Sequence, residues 1–353
     1  MTKLMTIVLS AGEGTRMKSD LPKVLHKVAE LPMVGHVLKA CEKAGADEKV
    51  LVVGPNHTAT EEFAAKHFDD IAICQQMERL GTGHAVKTTK DHWTTFDGYI
   101  FVLFADNPLV QPQTIENASK VLDDGADIVV VGYEPVDPTG LGRLLLDGEE
   151  LVAIREHKDA TDEERQVGLC NSGIMGFKAD ALRAVIDEID NKNAQSEYYL
   201  TDAPEIARSK GMVVKTSTSP EEEVLGVNDR RQLAFAEATF QQKARDAAML
   251  SGVTLVAPET VFFSHDTIVE RDVIIEPNVF FGPGAIVKSG ATIHAFSHIE
   301  GATVGEGAQI GPYARLRPGA NMGKNSKAGN FVEVKKAEIG EGASREVVAT
   351  FHR

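Results

Sequence analysis

From Phe263 onward an apolar residue recurs at every sixth position: Phe263, Val269, Ile275, Phe281, Val287, Ile293 and Ile299. One shorter step leads to Val304, and the rhythm resumes at Ile310, Leu316, Met322, Ala328 and Val334 before a second short step to Ile339. Small or β-branched residues stand two places before most of these, among them Val273, Ala285, Ala291, Ala308, Ala314 and Ala320. A sustained hexad of this kind predicts a left-handed parallel β-helix, in which three hexads make a triangular coil of about 18 residues. The large residues fill the prism and the small ones fit its corners.

Upstream the texture is different. Apolar runs at 5–9, 49–53, 71–74, 99–104 and 126–131 read as strands, and 33–44, 58–67 and a stretch beginning at 83 read as helices. Gly45 suits a helix C-terminal cap. Alternation of strand and helix predicts a three-layer, Rossmann-like α/β domain with a mostly parallel sheet and ligands at the carboxyl ends of its strands. Residues 230–249, polar and Ala-rich without Pro or Gly, read as one helix linking two domains. The expected division is 1–228 for the α/β domain, 229–250 for the linker helix, 251–343 for the β-helix and 344–353 for a tail outside the hexad.

A chain of 353 residues has room for two cores. Its net charge of −15 argues against nucleic acid or an anionic membrane as partner. It does not exclude a phosphorylated substrate, because basic residues can be concentrated locally. No N-terminal apolar run is long enough for a signal peptide or membrane span, so a cytoplasmic location is expected. Cys41, Cys74 and Cys170 have no metal-binding spacing and read as reduced and unpaired.

The first strand runs into LSAGEGTRMKSDLPK, residues 9–23. Glycines after a strand let backbone N–H groups approach a ligand closely, and Arg16 and Lys23 supply positive charge for a phosphate chain. The dinucleotide fingerprint is excluded, because Met17 stands where its third glycine would be. A P-loop is excluded because Gly14-Thr15-Arg16 is not Gly-Lys-Ser/Thr.

This stretch resembles the signature of the sugar-nucleotide pyrophosphorylases, with Ser10 in place of the usual Ala and Glu13 at a position where relatives often carry Lys. The Glu sets an acid beside the triphosphate site. The resemblance implies that Leu9, Ser10, Ala11, Gly12 and Lys23 bind nucleotide, that Arg16 and Lys23 serve catalysis, and that Gln76, Gly81 and Thr82 recognise uracil. From the residues alone, Thr82 equally suits a cap for the helix that follows. Phe104-Ala105-Asp106 matches the family's metal-binding Asp motif, with Ala105 adding a methyl near the nucleotide. Asn228 matches a second ligand for Mg²⁺, and it too could simply cap the helix after it.

The motifs at 137–143, 156–161, 171–174 and 196–202 resemble one branch of that family, the N-acetylglucosamine-1-phosphate uridylyltransferases that also act as glucosamine-1-phosphate acetyltransferases. The resemblance spans about residues 1–344. It implies UTP and N-acetylglucosamine 1-phosphate as substrates, and a role in peptidoglycan and lipopolysaccharide precursor supply. It further implies sugar contacts from Gly142, Glu156, Asn171 and Asn228, with Tyr199 and Thr201 nearby. In the β-helix, Arg317 and Lys335 correspond to residues that hold a sugar phosphate in the acetyl transfer, whose co-substrate is acetyl-CoA, and such prisms associate as homotrimers. Past Ser344 the match is lost and no His occupies the place of the family's catalytic one, so a truncated second domain and absent or negligible acetyl transfer are expected. The alternatives are a pyrophosphorylase for another sugar 1-phosphate, or a non-catalytic binding or oligomerisation remnant.

Overall fold

The computed structural model describes residues 2–345. The chain divides into two compact units, one of Met1–His26 with Pro32–Leu233, the other of Lys27–Leu31 with the residues from Ala234 onward.

The first unit is built on nine strands: β1 (Leu4–Ser10), β2 (Glu48–Val53), β3 (Ile71–Gln75), β4 (Tyr99–Phe104), β5 (Ile128–Tyr133), β6 (Arg143–Asp147), β7 (Glu150–Arg155), β8 (Cys170–Lys178) and β9 (Val214–Thr218). Their order in the sheet is β3-β2-β1-β4-β8-β5-β9-β7-β6. β3, β2, β1 and β4 are mutually parallel, as are β5 and β9. β8 runs antiparallel between β4 and β5, and the β6–β7 hairpin closes the far edge. The parallel expectation therefore holds in the half that carries the site, and the other half is mixed.

All seven residues of β1 are buried, as in a strand covered on both faces. Met5, Ile7 and Leu9 enter one core with Trp93, Leu182 and Val185, while Leu4 and Val8 enter the opposite one with Val34, Val37 and Leu38. The period of two thus generates the three layers. Helix Met33–Lys43 and helix Thr58–His67 follow the periodicity of the sequence. β1 lies between β2 and β4, so chain leaving its carboxyl end enters a crevice where successive strands depart to either side.

The second unit is a parallel β-helix. Its short strands stack into three sheets of six, five and four strands, with every pairing parallel. Ile275 faces Ile293 one coil on, and Ile293 faces Ile310, a coil shortened by the five-residue step. The hexad residues Ile275, Phe281, Val287, Ile293, Ile299, Val304, Ile310 and Leu316 have no exposed surface. The tail from 344 falls outside the described residues except for Ser344 and Arg345, which pair with Lys327 and Ala328.

Two features of this unit go beyond the sequence reading. Along helix Arg230–Leu250, Ala236, Gln241 and Arg245 are buried. The Gln241 amide donates to Phe263 O (2.7 Å) and accepts from Phe263 N (2.8 Å), and Arg245 Nε donates to Val261 O (2.9 Å). These bonds attach the helix to the first coil by satisfying backbone groups that the coil leaves unpaired. In addition, Lys27–Leu31 is built into this unit. Ala29 N donates to Glu237 Oε2 (2.6 Å), and Ala29 O accepts from His265 N (2.9 Å).

Candidate active site

β1 and β4 are in register, Leu9 opposite Phe104, so the loop after Ser10 and the Ala105-Asp106 turn emerge side by side. A cleft of about 370 Å³ opens there. Its walls include Leu9, Ser10, Ala11, Gly12, Lys23, Gln76, Gly81 and Thr82, together with Asp106. Every nucleotide-binding residue expected from the sequence thus lines a single cleft.

Local chemistry explains how. Gly14 has φ 64°, and a Cβ there would lie 2.4 Å from Lys23 Cβ. Glycine is required both by the left-handed backbone and by the lysine packed against it. Pro22 leads into a short turn, Lys23–Leu25, whose Val24 and Leu25 are buried, which leaves Lys23 to face the cleft. Gly81 (φ 104°) is similarly forced, since a Cβ would meet Tyr198 O at 2.6 Å. Helix Thr82–Lys87 begins after it. The Thr82 hydroxyl does not cap that helix; it accepts from Leu200 N (3.0 Å) and ties the cleft to the segment behind it. Gln76 is buried, and its Nε2 is held by Gly81 O (3.0 Å) and His84 Nδ1 (3.1 Å).

Asp106 and Asn228 come together with the two expected cations. Lys23 Nζ forms an ion pair with Asp106 Oδ2 and donates to Asn228 Oδ1 (3.1 Å), to which Arg16 Nη2 also donates (2.9 Å). Asn228 is not the helix cap: Asp229 Oδ1 takes the N–H groups of Arg231 (2.8 Å) and Gln232 (2.9 Å). The segment carrying Asn228 is fixed beside Asp106 by Val227 N to Asp106 O (2.8 Å) and by the buried Asn107, whose Nδ2 donates to Val224 O (2.7 Å). Nothing in the local sequence singles out Asn107, since its partner at Val224 lies far along the chain.

The expectation that the Ala105 methyl lies near the nucleotide is corrected. Ala105 is fully buried in the core beneath the site and is not part of the cleft wall. Glu13 is not an isolated acid, because it forms an ion pair with Arg79, a residue the sequence reading did not single out.

A second cavity, of about 340 Å³, adjoins the first and shares Thr82, Phe104 and Glu197 with it. Glu156, Asn171, Tyr199 and Thr201 line it. A register shift in β8 between Asn171 and Met175 interrupts the ladder where Asn171 and Gly173 join the wall. Gly142 stands behind the wall; its carbonyl accepts from Asn171 N (2.9 Å), and Gly140 takes its place in the lining. Asn228 is not in this cavity but with Lys23 and Asp106. Burial pushes the Glu156 carboxyl up, opposed by the Thr201 hydroxyl that donates to it at 3.2 Å. Burial, with Asp190, Glu205 and Glu156 nearby, pushes Asp202 up to about 6.

Among the described residues no group of three or more His, Cys, Asp or Glu could hold a metal. One carboxylate and one amide oxygen already converging on an ammonium do suit a hard cation that takes its other ligands from water and phosphate. No described helix is long and apolar enough to cross a membrane. In the β-helix unit, Arg317 Nη1 donates to Glu333 Oε1 (2.9 Å) and Arg317 N to Val334 O (2.9 Å), so Arg317 and Lys335 lie on adjacent coils.

The family model for the MobA-like NTP transferase domain matches residues 6–167. The bifunctional protein GlmU of Azorhizobium caulinodans is 51% identical over 340 residues, which cover 96% of this chain and 76% of that protein. That of Brucella anthropi is 51% identical over 266 residues, 75% of this chain, and the match spans 59% of that protein's length. Among solved structures, the inositol-1-phosphate CTP transferase from T. maritima overlaps 66% of this chain and 92% of its own with a TM-score of 0.54 at 17% identity, a likeness of fold. Such identity along nearly the whole chain makes this protein a member of the family of bifunctional GlmU proteins, carrying an NTP transferase domain at its N-terminal end.

Proposed function

We propose that the first unit is a uridylyltransferase joining UTP to N-acetylglucosamine 1-phosphate, with pyrophosphate as the second product. The observation that carries this reading is the pair of adjoining cavities, one lined by the glycine-rich loop and Gln76-Gly81-Thr82, the other by Glu156 and Asn171. Because Gln76 Nε2 is engaged by Gly81 and His84, its Oε1 is the group left for a donor on the base. Glu156 and Asn171 offer acceptor and amide groups to sugar hydroxyls.

A sugar-phosphate oxygen attacks the α-phosphorus of UTP in line, the bond to the β-phosphate oxygen breaks, and the electron pair leaves with pyrophosphate. The nucleophile is ionised at neutral pH, so no general base is needed. Lys23 and Arg16 offset the charge of the departing pyrophosphate, and N–H groups of the 11–14 loop hold the nucleotide. Asp106 and Asn228 would hold Mg²⁺, whose charge, when bound, lowers the repulsion between the two phosphates. Lys23 would then turn from these oxygens to the phosphates.

In the same reading Arg317 and Lys335 are the residues of the β-helix unit that would contact a sugar phosphate, that unit assembles as a homotrimer, and the protein works in the cytoplasm. The test follows pyrophosphate release from UTP and N-acetylglucosamine 1-phosphate with Mg²⁺, and CoA release from acetyl-CoA and glucosamine 1-phosphate, on one sample. Pyrophosphate release with this pair supports the reading. Preference for another sugar 1-phosphate, or silence from a folded protein, overturns it. The CoA assay reports separately on the second unit.

A further inference from the structure

The loop between Ser10 and Gly14 has little to hold it. A Cβ placed at Gly12 would meet no atom within 4 Å. Among the described residues, the hydrogen bonds made by 11–13 all come from one side chain. Arg79 Nε donates to Ala11 O (2.8 Å), and Arg79 Nη1 pairs with the Glu13 carboxylate. The two contacts bracket Gly12. The N–H groups of Gly12 and Glu13 have no protein acceptor among the described residues and so remain available to an anion. Arg79 itself lies in the wall of the nucleotide cleft.

We propose that Arg79 is a positioning residue for nucleotide binding, clasping the glycine-rich loop at Ala11 and Glu13 so that the intervening amides are preset for the polyphosphate. This rests on the nucleotide reading above and deepens it. A guanidinium suits the task because its planar fork can satisfy a carbonyl and a carboxylate at once, which an ammonium cannot do with fixed geometry. The inference also gives Glu13 a use. An acid in a phosphate loop would repel the ligand if unpaired; held by Arg79, it anchors the clasp and leaves the pair neutral. A preset loop lowers the ordering cost of binding, so its loss shows in nucleotide affinity more than in turnover.

The test compares wild type with Arg79→Ala, Arg79→Lys and Glu13→Gln, measuring kcat, KM for UTP, KM for N-acetylglucosamine 1-phosphate and Kd for UTP with Mg²⁺ by calorimetry. Arg79→Ala is expected to raise KM and Kd for UTP about tenfold, equivalent to about 1.4 kcal/mol. Its kcat should stay within about threefold and its sugar-phosphate KM should be unchanged. Arg79→Lys and Glu13→Gln should shift UTP affinity in the same direction by less, which keeps the test open if Arg79→Ala does not fold. Unchanged UTP affinity in all three, or an equal loss for both substrates, overturns the inference. A folded wild type that neither binds nor turns over UTP overturns the nucleotide reading and the Arg79 role with it.

Discussion

Lys23 lays its ammonium on the carboxylate of Asp106, although 83 residues separate them, and the same ammonium reaches Asn228 Oδ1. Two strands in register, Leu9 beside Phe104, bring their ends together and make that contact possible. In the proposed mechanism the pair joins the positive charge for the leaving group to the oxygen donor for a cation. Lys23→Ala and Asp106→Ala should each lower the rate of pyrophosphate release about 10²-fold or more, a cost of several kcal/mol in the transition state. Near-normal turnover in either variant removes that residue from the mechanism.

Gly14→Ala tests how Lys23 is held. The substitution meets a positive φ and places a methyl against the Lys23 side chain. A cost of about 1 kcal/mol in stability is expected from the backbone alone. Activity should fall at least tenfold (~1.4 kcal/mol), since Lys23 must shift. Thermal unfolding and pyrophosphate release on the same preparation separate the two effects.

The raised pKa of Asp202 predicts a pH dependence. Its folded-state value of about 6 lies above the usual 3.8, so between these values the folded state binds more protons than the unfolded one. Stability from this group therefore falls as pH rises from about 4 to about 6 and stays lower above that. Asp202→Asn should raise Tm at pH 7.5 by about 2–4 °C, roughly 1 kcal/mol after allowing for partial exposure. The gain should shrink as pH is lowered towards 4. A gain independent of pH would contradict the assignment.

Gln241→Leu should destabilise the β-helix unit by about 2–3 kcal/mol, because both backbone groups of Phe263 lose their buried partner. Denaturant unfolding of the whole chain, followed by a probe in the second unit, measures this. Gln241→Glu, which keeps the acceptor but not the donor, should cost more than a surface substitution such as Gln242→Ala.

The sequence by itself determined both architectures, because each rests on a repeating local rule. A hexad with a buried residue at every sixth place closes a triangular coil wherever it persists. An all-apolar strand such as 4–10, followed by helices of matching periodicity, can be buried only between two helical layers. The glycine-rich loop around Gly12 was legible from its own residue types and spacing, whereas the motifs at Gln76, Asp106 and Glu156 stood out only through their resemblance to those of a known family. Tertiary structure decided what depends on partners distant in the chain. It turned Asn228 to Lys23 and gave helix capping to Asp229, used Thr82 to hold Leu200, and buried the Ala105 methyl in the core. It also paired Glu13 with Arg79, drew 27–31 into the second unit, and made Gln241 the hydrogen-bond partner of Phe263. Each of these is settled by which unpaired backbone group or opposite charge lies within hydrogen-bonding distance after folding, and spacing along the chain carries no record of that distance.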